Sequence, residues 1–295
     1  MSVVESYNFI RWLLLAVASA LLNGAAPVFM RAGAKRSDPS FAAAVFATLL
    51  FGLSLLRSAL DGRLGEFAAI GNRSLLFLAL AGLISALACL CLFTALTGAA
   101  VGRVLPILRS AVVPLAIFGH LLAGDALGLW RLCCLVLILL GTVLMESRPE
   151  RMASVRWLLH ALLALAAVTA LSLLFRLYIT PALDEAVALP PCLAVACVLL
   201  WAFALARGKQ KSARSMGLAG WLCVPLAAVC VGLALVADTL GARLGDWSYF
   251  RPVACLGFPA MLLFARIFLK EKLPGGAIFG MILVLLGSFA MMMGW

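Results

Sequence analysis

Apolar residues run along this chain in long blocks that are broken by charges and by Gly/Pro clusters. A helix needs about 20 apolar residues to cross about 30 Å of hydrocarbon. Ten blocks approach that length: 12–30, 41–56, 74–96, 104–122, 127–145, 157–175, 186–206, 216–236, 253–269 and 275–293. Five fall in each half of the 295 residues. Five crossings return the chain to the membrane on the opposite face, so the second half enters upside down relative to the first.

The halves are also related in sequence. Residues 135–145 read LVLILLGTVLM and residues 281–291 read MILVLLGSFAM, an ungapped match at an offset of 146. Gly98-Ala99-Ala100-Val101-Gly102-Arg103 answers Gly241-Ala242-Arg243-Leu244-Gly245-Asp246, Pro114 answers Pro259, and Asp125 answers Glu271. Near the head of each half, Phe29-Met30-Arg31 answers Leu174-Phe175-Arg176. The pattern therefore predicts an all-α integral membrane protein of ten transmembrane helices, built as two inverted five-helix repeats over residues 1–150 and 151–295.

Composition agrees. Apolar residues make up 65% of the chain, charged ones 12%, and the mean hydropathy is +1.15, whereas soluble domains run near half apolar and about a quarter charged. The longest connection, about 57–73, leaves no room for a soluble catalytic domain. The nine cysteines all lie in apolar runs and read as small hydrophobes, not as a disulfide or metal framework. His120 and His160 sit near helix ends without partners that would suggest catalysis. No metal, cofactor or enzymatic activity is expected. The apolar stretch 13–20 has the look of a secretory h-region, but Glu5 spoils a basic n-region and the run continues to Met30, so it reads as a retained span.

The short acidic turns Gly124-Asp125-Ala126-Leu127 and Lys270-Glu271-Lys272-Leu273, the Gly-Ala-x-x-Gly segments before helices four and nine, Pro114 and Pro259, and the segments Leu139-Leu140-Gly141 and Leu285-Leu286-Gly287 together give a further clue. Over nearly its full length the chain resembles the EamA family of the drug/metabolite transporter superfamily. The resemblance implies a multi-pass carrier of the inner membrane that exports or passes amino acids, related metabolites or xenobiotics. It also implies that both termini lie in the cytoplasm. The charge count points the other way: eight of the 23 Lys and Arg residues fall on the face of the termini and fifteen on the other, which by the positive-inside rule favours the opposite orientation.

Ionisable groups inside a span are costly unless they face a cavity or a partner, which makes them the candidates for function. Arg109 is the deepest, between Pro106 and Pro114 in helix four; it either lines a cavity or, with Arg103, snorkels to an interface. Trp247, Tyr249 and Arg251 precede Pro252 at the head of helix nine and are substrate-binding candidates, with an interfacial aromatic belt as the alternative. Asp238, at the end of helix eight, is the one acid within reach of a cavity and a further substrate-binding candidate, with a simple helix-terminal residue as the alternative. Asp125 and Glu271 read as helix-start acids that complement the dipole. Arg31 and Arg176 close the first helix of each half at matched positions, and Asn23 lies two turns before Arg31; these are the gate candidates, with C-terminal capping of the helix as the alternative.

Scarce acids suggest facilitated diffusion or exchange through a central cavity between the repeats, and the arginines suggest an amino-acid-like or other anionic or zwitterionic solute. A flippase for a lipid-linked anion and a membrane-embedded accessory or assembly protein remain as alternatives. The net charge of +11 lies in loops, which favours contact with anionic membrane lipids and gives no support to nucleic acid as a partner. The oligomeric state is left open, a monomer included.

Overall fold

The computed structural model describes residues 3–123, 128–146, 155–208, 216–244, 256–271 and 275–293. Among these residues the regular structure is entirely helical: α1 (Val3–Ala34), α2 (Pro39–Leu60), α3 (Asn72–Gly98), α4 (Val101–Arg109), α5 (Val112–Ala123), α6 (Leu129–Glu146), α7 (Arg156–Leu174), α8 (Glu185–Ala206), α9 (Gly217–Leu244), α10 (Gly257–Leu269) and α11 (Gly275–Met293). A short 3-10 turn, Leu64–Ala69, occupies the longest connection, and a π-helical turn, Phe175–Ile179, extends α7.

Seven helical segments are long and apolar enough to cross a membrane: Ile10–Ala34, Pro39–Leu60, Asn72–Gly98, Val101–Leu122, Arg156–Ile179, Glu185–Ala206 and Gly217–Gly241. Three shorter apolar stretches, Leu132–Leu144, Gly257–Leu269 and Ile278–Ala290, fall on the blocks that the sequence assigns to helices five, nine and ten. The protein is a multi-pass membrane protein.

Local signals set the helix starts. Asp38 caps α2 by accepting from Ser40 N at 3.0 Å, with Pro39 at the first helical position, where its missing N–H costs nothing. Asp184 caps α8 in the same way, accepting from Ala186 N at 2.9 Å. The two caps lie 146 residues apart, the offset of the sequence match.

Several expectations from sequence are revised. The fourth block is one span, but its helix breaks between Arg109 and Val112, where Ser110 N bonds to Pro106 O at 3.0 Å and Ala111 N to Leu108 O at 3.1 Å. Pro114 lies one turn on, and a proline cannot donate the helical bond to the carbonyl of Ser110. Gly98 to Gly102 forms a junction, with Ala99 and Ala100 extended. Its counterpart Gly241 to Leu244 remains helical, as the last turn of α9. The eighth sequence block, α9, consequently runs six residues beyond Asp238, which is half-buried and lies within its helix, not at the end.

Leucines dominate the outward faces, as with Leu76, Leu129 and Leu218, while the interior is lined by fully buried alanines such as Ala43, Ala44, Ala161, Ala164, Ala227 and Ala228. Between apolar helices in lipid there is little hydrophobic drive to associate, and small residues let the backbones approach for dispersion and weak polar contacts. Between the two halves the main packing pairs are α1 with α9, α3 with α7, α2 with α8, α6 with α11, α1 with α10, α4 with α7, α3 with α8, and α2 with α9; within the first half α2 also packs on α3. Exchanging first-half helices for second-half ones maps this set onto itself, with α4–α5 standing for α10.

The contact of α6 with α11 repeats that exchange at residue level. A Cβ on Gly141 would stand 2.6 Å from Gly280 O and 2.7 Å from the Val284 side chain. A Cβ on Gly287 would stand 2.9 Å from both Cys134 O and the Ile138 side chain. Each residue in the second contact is its counterpart in the first at an offset of 146, and the two helices run antiparallel. The contact is reciprocal, residue against counterpart, as in an isologous interface.

Candidate functional site

The first helix carries two polar centres. Ser19 and Asn23 are one turn apart on α1, so they share a face. The Ser19 hydroxyl, fully buried, donates to the Asp238 carboxylate of α9, and Asn23 Nδ2 donates to Ser19 Oγ at 3.2 Å. Pro27 follows inside the helix and cannot donate to the Asn23 carbonyl, so backbone acceptor capacity is freed beside the amide. Asp238 and Asn23, singled out separately in the sequence as a binding and a gate residue, are thus joined through Ser19. No sequence pattern marked Ser19, because a lone serine in a helix usually bonds to its own backbone.

The second centre lies about 18 Å further along α1, twelve residues at 1.5 Å each. Arg31 is buried; its Nη1 donates to Leu96 O near the end of α3 at 2.9 Å. Its Nε stands 2.6 Å from Glu271 Oε1, a charge contact not aligned as a hydrogen bond. Glu271 Oε2 accepts from Val101 N, at the start of α4, at 3.2 Å. Glu271, expected to serve the start of its own last helix, therefore serves the start of α4 and neutralises Arg31. The ends of α1 and α3, the start of α4 and the connection after α10 meet at this one pair. Arg176, the counterpart of Arg31, is exposed in the π turn after α7. The two matched positions thus differ in burial.

Arg109 closes α4 at the helix break and is exposed; Arg103, near the start of α4, is half-buried. Trp247, Tyr249, Arg251 and Asp125 lie outside the described residues. A second pair between the halves joins Arg63 Nη1 and Asp184 Oδ2 at 2.6 Å, beside the bond of Ser58 Oγ to Ala186 O at 2.6 Å. The Ala186 N–H, and after it the Arg63 guanidinium, hold the Asp184 carboxyl below its ordinary range, and the carboxylate in turn raises Arg63. Both side chains are open to solvent, so screening leaves this pair a small contribution. Among the described residues no group of three His, Cys, Asp or Glu side chains is placed to hold a metal.

Residues 10–147 match the EamA-like transporter family. A curated relative, an uncharacterized transporter from the cobO 3' region of a Sinorhizobium species, is 30% identical over 141 residues, which are 48% of this chain and 96% of the relative. The chain belongs to the EamA-like transporter family. A solved crystal structure matches this transporter over 95% of its length and 96% of that chain with a TM-score of 0.67 at 17% identity, a likeness of fold alone. Family membership gives the polar centres on α1 a context: Asp238, Arg31 and Glu271 are ionisable groups held within the helix packing of a membrane transporter.

Proposed function

We propose that this EamA-like protein is an inner-membrane carrier for small amino-acid-like, anionic or zwitterionic solutes, exporting them through a cavity between two inverted five-helix repeats, residues 1–150 and 151–295. Ten crossings follow if α6, α10 and α11 span alongside the seven longer segments. The self-mapping set of helix pairs and the reciprocal glycines of α6 and α11 support the inverted arrangement, because an axis that exchanges two antiparallel helices at a reciprocal crossing runs perpendicular to them, in the membrane plane. The family match ends at residue 147, close to the repeat boundary, and the curated relative is about half the length of this chain.

The broken helix at Arg109 carries the substrate assignment. Arg109 sits nine residues into a span of 22, near its middle, and an exposed guanidinium at that depth is costly unless it borders a water-filled cavity or is held by a partner. Carriers build their sites from interrupted helices, whose ends supply unpaired backbone groups. Arg109, with Arg103 along the same helix, then takes the carboxylate of the solute. In this scheme the buried Arg31–Glu271 pair closes one mouth of the pathway, and Arg176 lies at the other.

Uptake into liposomes of a panel of labelled amino acids and organic anions tests the assignment. Arg109→Ala is expected to lower kcat/KM for the transported solute about 10- to 100-fold, the worth of a charge-assisted bond. Arg109→Lys is expected to recover only part, because an ammonium cannot form the bidentate pair. Wild-type uptake by both variants would place Arg109 against lipid and remove the preference for anionic groups.

A further inference from the structure

We propose that the Asp238 carboxylate is a proton-binding site of this transporter, loaded and unloaded once in each transport cycle. The coupling to transport rests on the carrier reading above; the proton binding does not. Facilitated diffusion, the mechanism that scarce acids suggest, assumes that no acid is available in the interior, and the placement of Asp238 argues against that assumption.

Three observations carry the proposal. Asp238 is half-buried and lies inside the apolar segment Gly217–Gly241, on a helix that continues to Leu244, so it is not a helix-end residue. Its described partners are uncharged: α1 presents the buried Ser19 hydroxyl, supported by Asn23. Among the described residues, the charged groups of the surrounding helices stand elsewhere. Arg11 and Arg31 are about 12 and 18 Å along α1 from Ser19, Arg31 is engaged with Glu271, and Arg57 of α2 faces Asp61 at 4.0 Å.

An acid fixed beside a cation stays ionised throughout, whereas one held by neutral donors in a low-dielectric interior can exist in either form. The step balances simply. A proton adds to Oδ2, Oδ1 keeps the Ser19 hydrogen bond, the carboxylate becomes a carboxylic acid, and no other bond is made or broken. Neutralised in this way, the group crosses the apolar interior during a conformational change at far lower cost than a bare charge.

Difference infrared spectroscopy on the full chain in liposomes, taken between mildly alkaline and mildly acidic buffer, reads the proton directly. A carboxylic acid C=O band is expected to appear reversibly on acidification, to vanish in Asp238→Asn and to persist in Glu271→Gln. Ser19→Ala keeps the acid and removes its donor, so the same band is expected at higher wavenumber; this variant decides the matter if Asp238→Asn does not fold. A band that survives Asp238→Asn, or that ignores Ser19→Ala, overturns the site.

A second arm uses liposomes containing a pH-sensitive dye and the amino-acid panel. Uptake accompanied by proton flux in wild type but not in Asp238→Asn supports coupling. Uptake without proton flux in wild type overturns coupling and leaves the carrier standing. An Asp238 band with no uptake of any probe supports proton binding and counts against the carrier reading alone.

Discussion

Replacing Glu271 with Ala is expected to destabilise the protein by about 3–5 kcal/mol, because it removes the carboxylate that a buried guanidinium faces. Arg31 and Glu271 side chains are 9% and 12% exposed, too little for water to take over the lost contact. Arg31→Met should cost a similar amount from the other side. The double variant Arg31→Met/Glu271→Leu separates the charge from the packing. With neither charge left, stability should return to within about 2 kcal/mol of wild type, the remainder reflecting the Leu96 carbonyl and the Val101 N–H that lose their partners.

Unfolding in mixed micelles across a detergent titration measures all three variants. A Glu271→Ala protein as stable as wild type would mean that the pair is not buried. Uptake by the double variant separates a gate from a staple: a gate whose opening needs the charges to part and rehydrate slows when they are absent, and a staple does not.

The glycine contact between α6 and α11 gives the second large effect. A methyl group on Gly141 or Gly287 would meet backbone oxygen at 2.6 or 2.9 Å, so the helices must separate. Gly141→Ala and Gly287→Ala should each destabilise by about 1–3 kcal/mol, the usual cost of overpacking. Because the two sites are one contact seen from two ends, their losses should be similar. Gly52, in the middle of α2 with nothing within 4 Å, serves as the contrast. There Gly→Ala should stabilise by about 0.5–1 kcal/mol through helix propensity alone. Stabilisation at Gly141 or Gly287 would contradict the close approach.

The helices were legible in the sequence because they depend on local, one-dimensional patterns, and the match that suggests a repeat is a pattern of the same kind. Apolar block length marks a span, and the ungapped match 135–145 with 281–291 already contains Gly141 and Gly287, the residues at which α6 and α11 touch. The helix break was half legible. Pro106 and Pro114 bracket it, but prolines are tolerated in membrane helices, so nothing in the pattern fixed the interruption at Ser110.

The polar centres were legible only as single residues. Asp238, Asn23 and Arg31 stand out as polar groups in apolar runs. Their partners depend on which faces of distant helices meet, over separations such as the 219 residues between Ser19 and Asp238. Glu271 shows the limit most clearly. Helix-dipole logic assigns it to the start of its own helix, and only three-dimensional proximity to Arg31 and Val101 reveals the helix start that it serves.

The inverted repeat is the central claim, and the sidedness of two equivalent connections tests it most directly. Lys35 follows α1 and Pro181 follows the π turn after α7; they are 146 residues apart, and both are exposed. Single cysteines at these positions, Lys35→Cys and Pro181→Cys, in a background with the nine native cysteines replaced, can be labelled in intact cells with a membrane-impermeant maleimide. Inverted repeats predict that one position reacts from outside and the other only after the membrane is opened, and which one reacts also fixes the orientation of the termini. Labelling of both positions from the same side would contradict the account.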